Sequence, residues 1–583
     1  MKQWLIVVLL LAVHVALLWH SASRKSATVD ELSHLAGGLY AVSTGDFRIT
    51  RVDPPFQNVF CAIFAASLCE YKLDFENESW NKGIWNGSGD RLLEANPDHI
   101  HELLMAGRLG SMVLSCALCL LIFLWAKDLW GCRPALCVLA LTVIEPNLLA
   151  HGKLITTDAG TIFFYTLTGY LCWRFYQKPN WILLIGIGAA AAGAWLSKHS
   201  GLLLFPALFV VFLTLPIPSI IRMPDYCKQF SRVMQKTLTS IGMLIVISIA
   251  GFFTIWAGYG FEVGDSIPDR LPKDSELWSE ASTPLLYGSY ILGLENRIQF
   301  DPENPNDPFW IFLSNYTPAF SHWEGFFATR LILRQGHLGY LLGRFSYTGF
   351  VYYYPVLFLI KTPLPLLFII AFGAFLLVRK KIQIDRNALT IMLVIPSVYL
   401  LILMFFNTAA IGYRHALPLL PYLLILCGGA AASYIFKIKK IQWSAAFFVL
   451  LAWCVIETLT THPHYISYFN TLTGGSEQGR HYAVDSNLDW GQDLILLKEY
   501  IDEHDLGEPY LFYFGPKSLP EAYGVPHRIL KDAGTLPPGT YIISATFLQG
   551  VGAGAWMQPL EIFRRRKPDA YITPALLLYQ KKY

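Results

Sequence analysis

The chain has 583 residues, and only 15% of them are charged, while 54% are hydrophobic and 15% aromatic. A formal net charge of +3 and this low polarity exclude a disordered chain and a nucleic-acid-coating protein. So long a chain with so few charges must hide apolar surface in something other than water, and a bilayer is the natural host.

Apolar runs of membrane-crossing character recur through the first four-fifths of the sequence. They lie near Trp4–Leu18, Leu103–Ala126, Ala135–Ile144, Gly160–Tyr176, Trp181–Leu196 and Leu202–Leu215, then Leu238–Trp256, Phe350–Val378, Leu389–Phe406, Ala416–Phe436 and Trp443–Leu459. The expected fold is an α-helical polytopic membrane protein of about eleven spans, with eight to ten spans and a re-entrant helix as the alternative count. Lys2, a short apolar core and Ser21-Ala22-Ser23 resemble a signal peptide. The many later spans favour an uncleaved first helix.

Basic residues fall in alternate loops: Lys127 with Arg133, Arg174 with Lys178, Arg222 to Lys236, Arg379 to Lys381, and Lys437 to Lys440. By the positive-inside rule these loops are cytoplasmic. The others, including 21–101 and 258–348, are then extracytoplasmic, as is the stretch after the last span. Residues 1–459 read as the membrane domain and 460–583 as a small extracytoplasmic α/β module. In that module Leu494–Ile501 reads as an amphipathic helix, and Tyr510–Phe514 and Tyr541–Ala545 as strands. The expected setting is a multi-pass place in a plasma membrane. Cys116 and Cys119 have CxxC spacing inside an apolar run and read as core residues.

Polar residues at the rims of apolar runs are costly beside lipid and therefore informative. The first set is Asp30, Glu31 and His34, just after the first run. Glu31 fits a capping box with Thr28, while Asp30 and His34 share a helical face. Paired carboxylates there suit a general base and a hydroxyl or metal ligand. Asp53 precedes Pro54-Pro55 and suits a turn. Asp158 opens an apolar helix, either as its N-cap or as a second acid facing the same cavity. His151 precedes it. Lys198 and the Arg414-His415 pair sit at the outer ends of runs, where a cation can snorkel or bind phosphate. No Walker or dinucleotide glycine pattern is present. An activated substrate would therefore arrive through the membrane on a lipid phosphate.

In order along the chain, Asp30-Glu31-x-x-His34, Gly45-Asp46-Phe47, Asp53-Pro54-Pro55, Thr157-Asp158 and Tyr413-Arg414-x-x-x-Pro418 resemble the polyprenyl-phosphate-dependent glycosyltransferases with the C-type membrane fold. That family includes protein O-mannosyltransferases and lipid A aminoarabinose transferases. The segments Pro146–Gly152 and Asp485–Asp493 match the bacterial phospholipid-carrier-dependent subgroup most closely. The resemblance implies sugar transfer, with inversion, from a polyprenyl-phosphate donor to a hydroxyl of a lipid, glycan or protein acceptor. It implies Asp30 or Glu31 as base and Asp158 as the second catalytic acid. Lys198, Arg414 and His415 would hold the leaving phosphate. His34, Asp53, His151 and Trp490 would contact acceptor or sugar. Protein mannosyltransferases carry His where this chain has Asp53, which speaks against a protein Ser or Thr acceptor.

No cofactor is required by this reading, and a divalent metal is left open. A second polar cluster, His462, His464, Asp485, Asp489 and Asp493, reads as a conceivable metal site or as turn and cap residues. Trp490, Tyr465, Tyr468 and Phe469 either form a sugar-stacking platform or pack the module onto the bundle. Asn77, Asn86 and Asn315 head sequons in outer loops. The competing function is a lipid-linked sugar flippase or other transporter, which would show mid-span charges and repeat symmetry. Neither is evident in the sequence.

Overall fold

The computed structural model describes residues 2–216, 218, 231–264, 316–530 and 536–582. Most of the expected outer loop 258–348, most of the basic loop Arg222 to Lys236, and the sequon at Asn315 lie outside the described residues.

The chain opens with α1 (Lys2–Ser23), α2 (Glu31–Thr44), α3 (Phe56–Leu68), α4 (Glu78–Lys82) and α5 (Ser88–Ala95). Then come α6 (Ile100–Trp130), α7 (Cys132–Val143), α8 (Pro146–His151), α9 (Asp158–Gln177), α10 (Trp181–Ser197), α11 (Leu204–Thr214) and α12 (Arg232–Gly258). After α13 (Phe320–Gln335), a hairpin joins β1 (Gly339–Leu341) to β2 (Arg344–Ser346). The bundle ends with α14 (Tyr353–Lys361), α15 (Leu364–Val378), α16 (Arg386–Phe406), the continuous helical run Tyr413–Ile438 (α17) and α18 (Ile441–Thr461).

Every apolar run read from the sequence is helical over most of its length, Phe350–Val378 as two helices. Six helices (α1, α6, α12, α16, α17 and α18) are long and apolar enough to cross a bilayer, or seven if the bent pair α14–α15 counts as one span, among the described residues. Their outward faces carry exposed large apolar side chains, such as Val8, Ile249, Phe405 and Val449. Water does not tolerate so much exposed apolar surface on one body, and lipid does. The chain is a polytopic helical membrane protein.

Two departures from the expected helices have local causes. The run Phe350–Val378 is not one helix: α14 and α15 meet at 113°. Pro363 caps α15 and Thr362 before it is extended, because proline lacks an N–H and disfavours helical backbone in the preceding residue. The stretch 21–101 is not a plain loop, since it holds α2, α3, α4 and α5. The apolar helix α3 is too short to register as a span.

Close packing in the bundle relies on small residues. α10 is rich in Gly and Ala and lies against α9 and α12. A Cβ on Gly188 would come within 2.6 Å of the Ile247 carbonyl oxygen of α12, so only glycine permits that approach.

Beyond α18 the chain makes several 3₁₀ turns, then α19 (Leu494–Glu503), and builds a four-stranded sheet. Its strands are β3 (Tyr510–Phe512), β4 (Gly539–Ser544), β5 (Ala570–Thr573) and β6 (Leu576–Lys581), in the order β3-β4-β6-β5. The β3–β4 pair is parallel and the other two pairs are antiparallel.

Candidate active site

The N-termini of α2, α9 and α17 and the C-terminus of α10 come together at one cluster. They deliver Asp30, Asp158, Arg414 and Lys198 respectively.

Asp158, the first residue of α9, is 2% exposed and sits between two cations. Lys198 Nζ, just past α10, donates to its Oδ1 at 2.7 Å, and Arg414 Nη1 donates to its Oδ2 at 3.4 Å. Arg414 also faces Asp30, with Nη2 3.8 Å from Oδ2. The Asp30 side chain is 24% exposed, and no hydrogen bond reaches its carboxylate from the described residues. Burial pushes its pKa up, and the Arg414 guanidinium opposes that shift. Asp53 lies close enough to add its own field to Asp30.

Buried polar atoms without a protein partner among the described residues gather here. They are His151 Nδ1, 3.9 Å from Asp158 Oδ2, together with Arg414 Nε and His415 Nε2. Unpaired buried polar atoms are rare in folded proteins and call for an explanation. His34 Nδ1 is likewise unpaired, and the His34 ring sits edge-on to Trp85 at 5.6 Å.

Glu31 is placed differently from Asp30, although the two are adjacent. It is fully buried, and both oxygens are occupied. Oε1 accepts from Arg108 Nε at 2.9 Å and from the Ile155 amide at 3.1 Å. Oε2 accepts from Arg108 Nη2 at 2.7 Å and from the Thr28 amide at 2.9 Å. Burial alone would raise the Glu31 pKa, but Arg108 and these amides bring it below the usual carboxylate range. The bond to Thr28 is the expected capping contact, but the helix itself starts at Glu31 with Asp30 at its N-cap. With every lone pair engaged, Glu31 is a structural anchor and not a free base.

Trp490 is 2% exposed, and the Arg414 guanidinium carbon lies 4.1 Å from its ring centroid. It holds the arginine by a cation–π contact and offers no open face to a sugar. Tyr465, Tyr468 and Phe469 are buried as well, so this aromatic set packs the tail onto the bundle.

The Asp485–Asp493 segment knits the site together. The Val29 amide donates to the Trp490 carbonyl, and the Ser26 amide to the Gln492 carbonyl, both at 3.0 Å. On the other side, Asn487 Oδ1 accepts from the Tyr413 amide at 2.8 Å. One loop thus clamps both the connector bearing Asp30 and the helix start bearing Arg414. Lys361 Nζ, at the α14–α15 break, donates to the carbonyls of Ile466 at 2.8 Å and Asn487 at 2.6 Å.

The second polar cluster does not assemble. Asp493 pairs with Lys25 and accepts from Thr573 Oγ1, Asp489 accepts from Ser544 and Thr546, and His462 faces His20 and Tyr465. No group of three or more His, Cys, Asp and Glu among the described residues could hold a metal ion. In the site itself, Asp158 faces Lys198 and Arg414, and Asp30 faces Arg414.

The sequence reading passed over Arg108, Lys25 and Lys361. Arg108 had a visible signal, a lone arginine inside an apolar run.

Residues 100–226 match the model of the dolichyl-phosphate-mannose-protein mannosyltransferase family, about a fifth of the chain. Among curated proteins no sequence match is found. Among solved structures, the S. cerevisiae protein O-mannosyltransferase complex bound to the sugar donor aligns at 16% identity and TM-score 0.32, over 45% of this chain and 34% of that one. This chain therefore spans about a third of that relative's length. ArnT from Cupriavidus metallidurans bound to undecaprenyl phosphate aligns at 12% identity and TM-score 0.41, over 98% of this chain and 97% of that one. The Archaeoglobus fulgidus oligosaccharyltransferase in the apo form aligns at 12% identity and TM-score 0.43, over 94% of this chain and 70% of that one. By family match as by motif, the chain resembles the polyprenyl-phosphate-dependent glycosyltransferases with the C-type membrane fold.

Proposed function

We propose that this protein transfers a sugar from a polyprenyl-phosphate donor to an acceptor hydroxyl at the membrane face where Asp30, Asp158, Lys198 and Arg414 converge. That convergence carries the reading: four residues from distant parts of the chain form one cluster with an accessible carboxylate at its edge. On this reading that face is extracytoplasmic, all eleven helical runs cross or enter the bilayer, and residues 460–583 form an outer module.

In the reaction, Asp30 takes the proton of the acceptor hydroxyl as its oxygen attacks the anomeric carbon. The bond from that carbon to the phosphate oxygen breaks, with inversion. Asp30 suits the task because its carboxylate is reachable and its raised pKa makes it a better base. The guanidinium of Arg414 and the ammonium of Lys198 stabilise charge on the departing phosphate, for which the planar arginine fork is well shaped. Asp158 holds both cations in place. His415 and His151, with unpaired ring nitrogens beside it, are further hydrogen-bonding groups for donor or acceptor.

The test is transfer from a synthetic polyprenyl-phosphate mannose or aminoarabinose, with envelope lipids as acceptors, in proteoliposomes. Asp30→Asn should lower turnover by about 10²–10⁴-fold with donor binding retained. Asp158→Asn should impair both donor binding and turnover. Full activity in both folded variants would end this assignment, and lipid translocation without glycosylation would favour the transporter instead.

A further inference from the structure

The parallel pair β3–β4 ends in a cavity that the proposed chemistry does not use. It measures about 350 Å³, within the range of small-molecule sites. Phe512, the last residue of β3, and Tyr513 after it wall one side, and Phe547 and Trp556, beyond β4, wall the other. The carboxyl ends of neighbouring parallel strands are where open α/β sheets form ligand crevices, because the chain leaves the two strands in different directions.

We propose that this cavity is a saccharide-binding site. Its wall is aromatic, with Phe512 and Trp556 in edge-to-face contact at 5.0 Å and Trp556 only half-buried. An aromatic face is electron-rich and suits the C–H face of a sugar ring. Its rim is polar. His527 Nδ1 lies 2.8 Å from the Val525 carbonyl, which can only accept, so Nδ1 carries a proton and in the neutral ring Nε2 is the acceptor. The exposed Lys517 adds a donor. A flat apolar face edged by one acceptor and one donor matches a ring with hydroxyls on its edge. An alkyl chain would leave both polar groups unused.

The cavity also touches the candidate active site through one strut. The Tyr513 hydroxyl donates to the Gly491 carbonyl at 2.7 Å, and the neighbouring Trp490 lies on Arg414. Use of the site to hold a glycan acceptor rests on the glycosyl-transfer reading, whereas the binding itself does not.

The full chain in lipid nanodiscs would be titrated calorimetrically with maltohexaose, mannohexaose and chitohexaose. At least one should bind. Trp556→Ala should weaken that binding about tenfold or more, and His527→Ala several-fold with an unchanged melting temperature. Arg414→Ala, which would disable transfer, should leave saccharide binding within about twofold. Absence of binding by all three, or binding indifferent to both pocket variants, would overturn the proposal, as would selective uptake of a fatty acid. Because Arg414→Ala separates binding from transfer, either reading can fail alone.

Discussion

Arg108 to methionine is the most informative perturbation of the fold. In the native structure its guanidinium makes two hydrogen bonds to Glu31 and three to the carbonyls of Ala22, Lys25 and Ser26, all between 2.7 and 2.9 Å. Neither side chain of the pair is exposed. Removing the arginine leaves a buried carboxylate without its cation, which costs about 3–5 kcal/mol. The orphaned carbonyls add to that loss. Removing both charges, in Glu31→Gln with Arg108→Met, should cost about 0.5–3 kcal/mol less than the sum of the single changes. Unfolding in mixed micelles with a rising mole fraction of SDS reads these differences.

The pH dependence has a defined sign. Glu31 titrates below the ordinary 4.5 in the folded protein, so the unfolded chain binds its proton first as pH falls. The stability from this pair is fully present above about 4.5 and is lost as pH drops through the folded value. The defect of Arg108→Met should therefore be large at pH 7 and shrink towards pH 4. A single variant within about 1 kcal/mol of the wild type at pH 7, or strictly additive changes, would refute the reasoning.

Arg414→Lys should fold, yet raise the KM for a polyprenyl-phosphate donor about tenfold or more, because an ammonium cannot stack flat on Trp490 or donate as a fork. Steady-state kinetics in proteoliposomes check it, and an unchanged KM would count against Arg414 as a phosphate ligand. Asp485 is buried, and burial pushes its pKa up to about 7. A raised acid pKa means that the folded state holds the extra proton, so stability falls as pH rises from about 3.8 towards 7. Asp485→Asn should raise the melting temperature at pH 8 and flatten that slope, and asparagine suits the positive φ of 59° at this position. An unchanged melting curve at pH 8 would show that the charge is accommodated at no cost.

The placement of Lys198 and Asp158 shows how the chain encodes its site. In a membrane helix a charged residue is tolerated at the end, so charges at the rims of apolar runs could be read directly. Asp30, Asp158, Lys198 and Arg414 were legible for that reason. The bilayer makes the problem nearly one-dimensional, and linear sequence carries one-dimensional information well.

What the sequence could not carry was the distinction between neighbours. Asp30 and Glu31 are adjacent acids with equal claim to be the base, and only the arrival of Arg108 from α6 turns one of them into an anchor. Trp490 read either as a platform for sugar or as a packing residue, and the fold laid Arg414 across it. The five polar residues of the tail clustered in sequence but divided in space, with Lys25 between Asp493 and His464 and Thr546 between Asp485 and Asp489. Hydrophobic periodicity determined that the chain is a helical membrane protein and which end of its bundle holds the charge. Which of those charges is left unpaired was decided by side chains from other helices and loops, such as Arg108 for Glu31, whose meeting is set by packing and not by spacing.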